Sequence, residues 1–355
     1  MKASSDSQNV RYYRPAPVEL EGNEIYALML EHLEDEGYKP LRFSFWRFGA
    51  LWSNRKRCCI IHTHWPEGIW RSKHAPICYI LAFRFLLVYA FSRLLGYRWV
   101  WSAHNVIPHY QVRAPLLERI MRLFMLHYFD LIIGLSDNTQ ADLKLAFGSC
   151  GRSYIKALHG TYDDVYPVHR SRQDVRRALD IPENATVLLV MNGTQRDNRG
   201  IREFIEAWER VENKGSLYLV VTGEIPNGFK FVNSDRSKFI AGRVDKEELG
   251  SVFCAVDFLV LNYSSITTSG LFYLALTFKL PVIAPRIPFF RCHGDERVTL
   301  FIEPDELLDD QFIDLIDKIE NGWRADPTVF SSIKKRHSHA EAARKIAAAF
   351  RSLEM

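Results

Sequence analysis

Two apolar segments in the first third of the chain end in histidines and other polar side chains. Residues 62–70, "HTHWPEGIW", place His62 and His64 two positions apart, so that both side chains point to one face of a strand. Residues 102–110, "SAHNVIPHY", place His104 just after a second apolar run. An imidazole in such a position can accept a hydroxyl proton near neutral pH. The pattern predicts His104 as a general base, although a buried structural histidine would produce the same pattern.

Other polar residues near these strand ends are candidates for binding an acceptor molecule or for the same chemistry. Glu67 is a second candidate for the base, and a simple N-cap or surface carboxylate would explain it equally well. The pair His62 and His64 suggests a metal site, but no third ligand follows at a spacing typical of zinc, so we expect no bound metal. The predicted acceptor-binding residues are His64, Trp65, Asn105 and His159.

A turn in the second half of the chain carries residue types that bind phosphate. Residues 192–200, "NGTQRDNRG", lie between an apolar run and a helical pattern, and Gly193 and Gly200 enclose Arg196 and Arg199. Glycine lets backbone N–H groups approach an anion, a helix N-terminus favours negative charge, and arginine can clamp phosphate oxygens. The turn favours a diphosphate site, and a solvated loop with two surface arginines is the alternative.

Residues 263–270, "YSSITTSG", form a second turn between an apolar run and a helix. Its hydroxyl groups can cap the helix, which is their common role, or they can bind a phosphate. Two such turns at the carboxyl ends of strands favour a nucleotide-diphosphate site, and no G-x-x-x-x-G-K-[ST] stretch indicates a kinase-type P-loop. The residues predicted to bind this nucleotide are Gly193, Arg196, Arg199, Arg243, Tyr263, Thr267, Thr268, Ser269 and Gly270.

Apolar, β-branched runs alternate with helical patterns along most of the chain, which favours parallel sheets built from βαβ units. With 355 residues the chain is too long for one ordinary core. The predicted fold class is α/β, with two Rossmann-like, doubly wound domains. We place the first domain at residues 1–165, the second at 166–325, and a helical segment that can cross back to the first domain at 326–355. We also expect a strand at 39–45 and a linker at 163–174.

The charge and composition of the chain exclude some classes of protein. The net charge is +4 and the pI is near 8.6, without the clustered Lys and Arg of a dedicated nucleic-acid-binding protein. The six cysteines include no C-x-x-C pair and mostly lie in apolar runs, as expected for reduced thiols. The polar first residues lack the apolar core of a secretory signal. We therefore expect a cytoplasmic protein that binds no nucleic acid.

Residues 75–101 form the longest apolar segment and raise the question of a membrane span. Arg84 lies in its middle, where a charge would be costly inside a bilayer, so we expect a helix that does not span. Interleaved basic and apolar residues are typical of a protein that lies on an anionic membrane surface, whereas a helix buried on both sides is the alternative. The basic residues in question are Arg71, Lys73, Arg93, Arg98, Arg113, Arg119 and Arg122.

Taken together, these motifs resemble the GT-B glycosyltransferases, and most closely the bacterial exopolysaccharide β-mannosyltransferases of the xanthan type. The resemblance covers residues 20–325 and is carried by "HTHWPEGIWR", "SAHNVIPHY", "GTQRDNRG" and "TTSGLFYLALTFKLPVIAP", in that order. It implies two domains that face each other across a cleft, the first for the acceptor and the second for a nucleotide sugar such as GDP-mannose. It also implies a polyprenyl-diphosphate-linked oligosaccharide acceptor and a peripheral position on the inner face of the cell membrane.

The sequence departs from the family's pattern in three places. Many retaining GT-B enzymes carry two glutamates eight residues apart near the last nucleotide loop, whereas the matching positions here are Ile266 and Leu274. Arg199 stands where the phosphate loop usually has lysine, and the glycine-rich turn after the first strand is missing. The first difference favours an inverting enzyme. Such an enzyme needs no metal or cofactor, because Arg196 and Arg199 would stabilise the leaving diphosphate. A retaining GT-B enzyme that uses a UDP-sugar and a catalytically silent nucleotide-sugar-binding protein are the alternatives.

Overall fold

Six parallel strands separated by helices form a sheet in each half of the protein. In a computed structural model, the chain divides into two units, Met1–Gly160 with His337–Met355, and Thr161–Arg336. The structure describes residues 10–17, 23–106, 112–192, 199–224, 233–304, 306 and 308–355. The prediction of an α/β fold with two doubly wound sheets is therefore confirmed.

The units differ in detail from the boundaries expected on sequence. The first part of the first unit ends at residue 160, whereas the sequence pattern predicts the boundary at residue 165. Residues 326–336 belong to the second unit, and the segment that joins the first unit is His337–Met355.

The first unit is built on a sheet with the strand order β2-β1-β3-β4-β5-β6. Its strands are β1 (Arg11–Ala16), β2 (Tyr38–Pro40), β3 (Cys58–Thr63), β4 (Arg98–Ala103), β5 (Leu131–Gly134) and β6 (Tyr154–Lys156). Its helices are α1 (Glu24–Asp35), α2 (Phe48–Asn54), α3 (Ala75–Leu94), α4 (Pro115–Tyr128), α5 (Thr139–Phe147) and α13 (His339–Glu354), with a 3₁₀ turn at Pro66–Ile69.

Helices cover both faces of this first sheet. On one face, Phe85 of α3 packs edge to face on Trp99 of β4, in a core to which α2 and α4 also contribute. On the other face, Phe350 of α13 packs against Tyr13 and Tyr38. Because both faces are covered, strands such as β4, "RWVWSA", are apolar almost throughout instead of alternating.

The second unit is built on a sheet with the order β12-β11-β10-β7-β8-β9. Its strands are β7 (Thr186–Asn192), β8 (Leu217–Gly223), β9 (Ser237–Ala241), β10 (Phe258–Val260), β11 (Val282–Pro285) and β12 (Thr299–Ile302). Its helices are α6 (Arg172–Ala178), α7 (Ile201–Arg210), α8 (Lys246–Ala255), α9 (Gly270–Thr277), α10 (Pro288–His293), α11 (Leu308–Glu320) and α12 (Pro327–Arg336). In α7, apolar residues at three- and four-residue spacing form the face that packs on the sheet.

Two local predictions are wrong. The strand expected at 39–45 is the three-residue β2, Tyr38–Pro40, and its ladder with β1 ends at the hydrogen bond that the N–H of Leu41 donates to the carbonyl oxygen of Tyr13. The linker expected at 163–174 already contains the start of α6, where the Ser171 side chain accepts a hydrogen bond from the N–H of Asp174 and caps the helix.

Each sheet has a topological switch point, where the chain changes the direction in which it adds strands. In the first sheet this point lies between β1 and β3, and in the second it lies between β7 and β10. Ligands of open parallel sheets bind beyond the carboxyl ends of the strands at such a point. The residues that follow these four strands are therefore the first candidates for a functional site.

Candidate functional site

His64 follows β3 directly, at the switch point of the first sheet. Its backbone N–H donates to the carbonyl oxygen of Ala16, the last residue of β1, at 2.9 Å. Its ring packs edge to face on Tyr26 of α1, with 4.8 Å between the ring centroids, and the side chain is buried. Two strands and one helix therefore fix the position of this imidazole.

Two short contacts join His62 and His64, at the end of β3, to residues at the end of β4. The Nδ1 atom of His64 lies 3.0 Å from Nε2 of His104, and Nε2 of His62 lies 2.8 Å from Oγ of Ser102. Among the described residues, the other ring nitrogens of His62 and His64 have no hydrogen-bond partner. The structure thus brings together three histidines singled out on sequence, and we call His62, His64 and His104 the histidine cluster.

The histidine cluster is neutral at physiological pH. Burial, with a smaller effect from the charge of His104, lowers the pKa of His62 to about 3. Burial lowers the pKa of His104 to about 3. Burial and the two neighbouring imidazoles hold the pKa of His64 well below its ordinary value. In the neutral pair His64 and His104, one ring must donate the shared hydrogen bond and the other must accept it.

Trp65 determines how His104 is oriented. The two rings are stacked, with 4.2 Å between their centroids and 24° between their planes. Both residues are partly exposed, whereas His62 and His64 are buried. His104 is therefore the member of the histidine cluster that a molecule from solvent can reach, and Trp65 offers an aromatic surface beside it.

Glu67 and Asn105 belong to a buried ion network. A carboxylate oxygen of Glu67 lies 3.5 Å from Nη2 of Arg122, and the other lies 3.9 Å from Nη1 of Arg71. Arg122 donates through Nη1 to the carbonyl oxygen of Asn105 at 2.8 Å. Both arginines also pair with Glu118. The network ties the turn after β3 to the turn after β4, so Glu67, the second predicted base, is placed to position these turns.

His159 follows β6, two strands away from β4. It is buried, its Nδ1 atom lies 2.9 Å from the carbonyl oxygen of Gly160, and its own carbonyl oxygen lies 2.9 Å from Nδ1 of His337. Burial, followed by the charge of His339, lowers its pKa well below the ordinary value. The C-terminal segment of the chain therefore helps to position this predicted acceptor-binding residue.

In the second unit, Gly200 is held against Asn262, which lies just after β10. It caps α7 with a φ of 55°, in the left-handed region that favours glycine. The side-chain amide of Asn262 donates to the carbonyl oxygen of Gly200 at 2.7 Å, and a Cβ at position 200 would overlap the backbone oxygen of Asn262. Because β7 and β10 are adjacent and parallel, the turns that follow them meet at the switch point of the second sheet.

The hydroxyl-rich turn begins α9. The Oγ atom of Ser269 accepts a hydrogen bond from a backbone N–H in the first helical turn at 3.3 Å, so this residue is the N-cap. Thr267 is buried, and the Oγ1 atom of Thr268 is buried with no hydrogen-bond partner among the described residues. A Cβ at Gly270 would lie 2.7 Å from the hydroxyl oxygen of Tyr162, which explains the glycine. Thr268 therefore has a buried hydroxyl to which the described part of the chain offers no hydrogen-bond partner.

Of the predicted arginines that the structure describes, Arg199 lies near the switch point of the second sheet and Arg243 does not. Arg199 donates through Nη1 to the carbonyl oxygen of Met191 at 3.3 Å, which puts its guanidinium beside the end of β7. Arg243 is exposed and follows β9, two strands away from β7. Gly193 and Arg196 lie outside the described residues.

The predicted site omits two residues that the structure places in it, Asn262 and Ser102. Asn262 is the first polar residue after the run "DFLVL", which is the same signal that singles out His104. The neighbouring residue Tyr263 was predicted instead, and its buried ring packs in the core. No local pattern marks Ser102 as a partner of His62, because that contact depends on the pairing of β3 with β4.

The residue types predicted for the second unit do not require a metal ion to bind phosphate. Glycine turns, threonine hydroxyls and arginines can contact phosphate oxygens directly. Within the part of the chain that the structure describes, no group of three or more His, Cys, Asp or Glu side chains could hold a metal ion.

The fold of the chain is similar to that of known structures. Anabaena Alr3699/HepE in complex with UDP-glucose matches with a TM-score of 0.68 and 12% identity, over 96% of this chain and 99% of HepE. The chain has the GT-B fold. Two further structures with the GT-B fold are similar: sucrose-phosphate synthase from Thermosynechococcus elongatus (TM-score 0.67, 15% identity, 97% of this chain and 99% of the synthase) and WaaG, a glycosyltransferase involved in lipopolysaccharide biosynthesis (TM-score 0.57, 14% identity, 95% of each chain).

This GT-B likeness is carried by structure and not by sequence. No protein-family model matches the chain, and no curated protein matches it. The GT-B fold implied by the four sequence motifs is confirmed.

Proposed function

We propose that this GT-B protein is a glycosyltransferase that uses a nucleotide-diphosphate sugar as donor. The observation that carries the proposal is that polar candidate residues occupy the switch points of both sheets, His64 in the first and the Gly200–Asn262 contact in the second. Ligands of parallel sheets bind at these points. The likeness to HepE, whose structure contains UDP-glucose, and to the glycosyltransferase WaaG supports this class of donor and reaction.

The second unit supplies the donor site. The N-termini of α7 and α9 follow adjacent strands and present backbone N–H groups that suit a diphosphate. Arg199 lies beside the end of β7, and Thr268 has an unused hydroxyl. As the bond between the anomeric carbon and the diphosphate oxygen breaks, these donors, with Arg196, stabilise the charge on the leaving group.

The first unit supplies the base and the acceptor site. The acceptor hydroxyl oxygen bonds to the anomeric carbon, the diphosphate leaves, and the hydroxyl proton passes to His104. Because Nε2 of His104 is engaged with His64, the atom that takes the proton is Nδ1. The low pKa of His104 keeps its ring neutral in the absence of substrate, so its Nδ1 lone pair is free. The ring becomes an effective base when negative charge in the bound substrates raises that pKa.

The finer features of the proposal come from the resemblance. They are GDP-mannose as donor, a polyprenyl-diphosphate-linked oligosaccharide as acceptor, a role in exopolysaccharide biosynthesis, and a peripheral position on the inner face of the cell membrane. Inversion without a metal is favoured because Ile266 and Leu274, both packed in the core of the second unit, stand where retaining enzymes carry glutamates.

A donor screen followed by product analysis tests the function. A ligand that binds only the folded protein raises its melting temperature, so we expect either GDP-mannose or UDP-glucose to raise it and the other to have little effect. Transfer to lipid-linked acceptor from a membrane extract should then give a product of inverted configuration. A retained configuration would establish the retaining alternative, and donor binding without transfer would establish the silent one. If no nucleotide sugar stabilises the protein, the proposed function is wrong.

A further inference from the structure

Three neighbouring helices of the first unit expose a large apolar surface. Within the described residues, 16 large hydrophobic side chains are exposed, and 11 of them belong to α2, α3 and α4. We call this surface the apolar helix face. Its central members are Trp52, Ile80, Phe83, Leu87, Leu116 and Ile120.

The three helices that carry the apolar helix face pack side by side. Phe48 of α2 packs edge to face on Phe91 of α3, with 4.8 Å between the ring centroids. On the other side of α3, Tyr89 packs edge to face on Phe124 of α4 at 4.9 Å. Helix α3 therefore lies between α2 and α4.

Helix α3 is placed to lie on a membrane and not to cross it. By length and composition it is a candidate span, the one that the described part of the chain contains, and 33% of its most apolar stretch is buried in the protein. Phe85 and Val88 hold one side of the helix in the core against the first sheet. Ile80 and Phe83 are 65% and 63% exposed on the other side, which excludes the alternative of a helix buried on both sides.

The exposed charges of the segment that forms the apolar helix face are basic. Residues 46–130 contain twelve lysines and arginines and three acidic residues, Glu67, Glu118 and Asp130. Glu67 and Glu118 are buried and paired with Arg71 and Arg122, so these two arginines are not part of the basic surface expected on sequence. The partly buried Asp130 pairs with Arg93 and Arg98. The exposed basic residues of this segment include Arg47, Lys73, Arg84, Arg113 and Arg119.

Arg84 illustrates how this surface combines charge with apolar side chains. It lies in the middle of α3, is exposed, and places its guanidinium 4.8 Å from the ring centroid of Trp46. Arginine and tryptophan are both suited to the headgroup region of a bilayer, because each has an apolar body and a polar end. A charge at this position is compatible with an interfacial helix and unfavourable for a spanning one.

We propose that the apolar helix face docks on an anionic lipid bilayer, with α3 parallel to the membrane surface. The apolar side chains enter the boundary between headgroups and acyl chains, and the basic residues contact lipid phosphates. A face with basic charges and no exposed acid matches the uniform negative charge of such a membrane. The inference rests on the proposed function in that a lipid-linked acceptor must be reached at the membrane, but docking itself requires no sugar transfer.

Vesicle binding by the full chain tests the inference. We expect binding to vesicles of phosphatidylcholine mixed with phosphatidylglycerol, and weaker binding to phosphatidylcholine alone or at high salt. Replacing Ile80 and Phe83 by serine should reduce the partition coefficient about tenfold or more. The matched control is Ile313→Ser on α11 of the second unit, which is similarly exposed and should bind as the wild type does.

The basic residues are tested separately. Arg84→Gln and Arg119→Gln should each weaken binding to the anionic vesicles about fivefold, with little effect on neutral ones. Lys318→Gln, an exposed lysine on α11, should leave both unchanged. Equal losses for Lys318 and the two arginines would show a general charge effect and overturn the assignment to this face.

A second measurement does not depend on the folding of these variants. Trp52 is exposed on the apolar helix face, so brominated acyl chains should quench part of the wild-type tryptophan fluorescence, and Trp52→Phe should remove that part. Vesicle binding without quenching of Trp52 would place the membrane contact elsewhere and overturn the proposal, as would absence of binding. Donor stabilisation measured on the same variants should be unchanged, so a failure of docking and a failure of the proposed function remain distinguishable.

Discussion

The Nδ1 atom of His64 and the Nε2 atom of His104 lie 3.0 Å apart, at the ends of the adjacent strands β3 and β4. If Nε2 of His104 carries the proton of this hydrogen bond, its Nδ1 atom keeps a lone pair that can accept a proton. After that transfer, the cationic ring still donates through Nε2 to His64. In the proposed mechanism, His104 then acts as the base while His64 sets its tautomer.

The first prediction concerns His104. We expect His104→Ala to leave the affinity for the nucleotide sugar nearly unchanged and to lower kcat by about 10²- to 10⁴-fold, because general base catalysis is lost while the donor site in the second unit is intact. Donor affinity is measured by thermal shift and kcat by transfer to a lipid-linked acceptor. His169→Ala, an exposed histidine of the second unit, is the control. Near-normal turnover in His104→Ala would assign the base to another residue.

The second prediction separates a positioning role of His64 from a structural one. His64→Leu removes the partner of His104 and should lower kcat on the order of 10²-fold with little change in KM, because the base is no longer held in one orientation. His64→Asn can place an amide near the position of Nδ1 and should recover part of the rate. If His64 only packs in the core, both variants will lose thermal stability and kcat in proportion, and asparagine will not rescue the rate.

The third prediction concerns the turn between β7 and α7. Gly200→Ala adds a Cβ that overlaps the backbone oxygen of Asn262 and that is strained at a φ of 55°. We expect lower thermal stability of the second unit and at least tenfold weaker binding of the nucleotide sugar, because the turns after β7 and β10, which form the proposed donor site, can no longer meet. Both effects are measured in one thermal-shift titration.

Gly322→Ala is the matched control for this substitution. Gly322 also has a left-handed backbone, with a φ of 90°, but a Cβ there would meet no atom within 4 Å. Gly322→Ala should therefore lower the free energy of unfolding by the conformational cost of about 1–2 kcal/mol without weakening the binding of the nucleotide sugar. Equal loss of affinity in both variants would show that backbone strain, and not contact with Asn262, disturbs the site.

Most strands of this protein, and the polar residues that follow them, can be predicted from the sequence for a physical reason. Strands buried on both faces, such as β4 and β7, are continuous apolar runs, and the polar residues that follow them stand out. This is how His64 and His104 are found. The contact between His64 and His104 cannot be predicted from the sequence, because it depends on the register that pairs His62 with Val100 across β3 and β4.

The buried ion network of Glu67, Glu118 and Arg122 also could not be predicted from the sequence. In sequence, Arg122 looks like one more basic residue of a surface helix, with Glu118 one turn before it. Only the packing of α4 on the first sheet buries both side chains and brings Glu67 to them. A short-range pattern carries no information on which face of a helix a distant turn will approach.

The fourth prediction follows from this network. Arg122→Ala leaves two buried carboxylates short of a counter-charge, and we expect it to lower the free energy of unfolding by about 3–5 kcal/mol. Arg177→Ala, which breaks an exposed pair with Asp174, should change it by less than about 1 kcal/mol. Urea unfolding measures both. Similar small losses in the two variants would mean that the buried arginine is dispensable and that the turns are held by other contacts.

The last prediction uses the pH dependence of stability. His62 is buried and has a pKa of about 3 in the fold, whereas an unfolded histidine has a pKa of about 6.5. Below about pH 6.5 the unfolded chain therefore binds the proton that the folded chain rejects, and stability falls as the pH decreases. The slope from this residue is up to about 1.4 kcal/mol per pH unit until the pH approaches 3, and none of it arises above the unfolded pKa.

His64 and His159 add to this slope, since burial lowers the pKa of each. Urea unfolding at pH 7.5, 6.5 and 5.5 should show a constant stability at first and then a steep loss. His62→Gln, whose amide can still reach Ser102, should reduce the slope by up to about 1.4 kcal/mol per pH unit. His127→Gln, at an exposed position on α4, should not reduce it. A wild-type stability that stays constant from pH 7.5 to 5.5 would mean that these imidazoles are hydrated in the folded protein and that burial does not lower their pKa values.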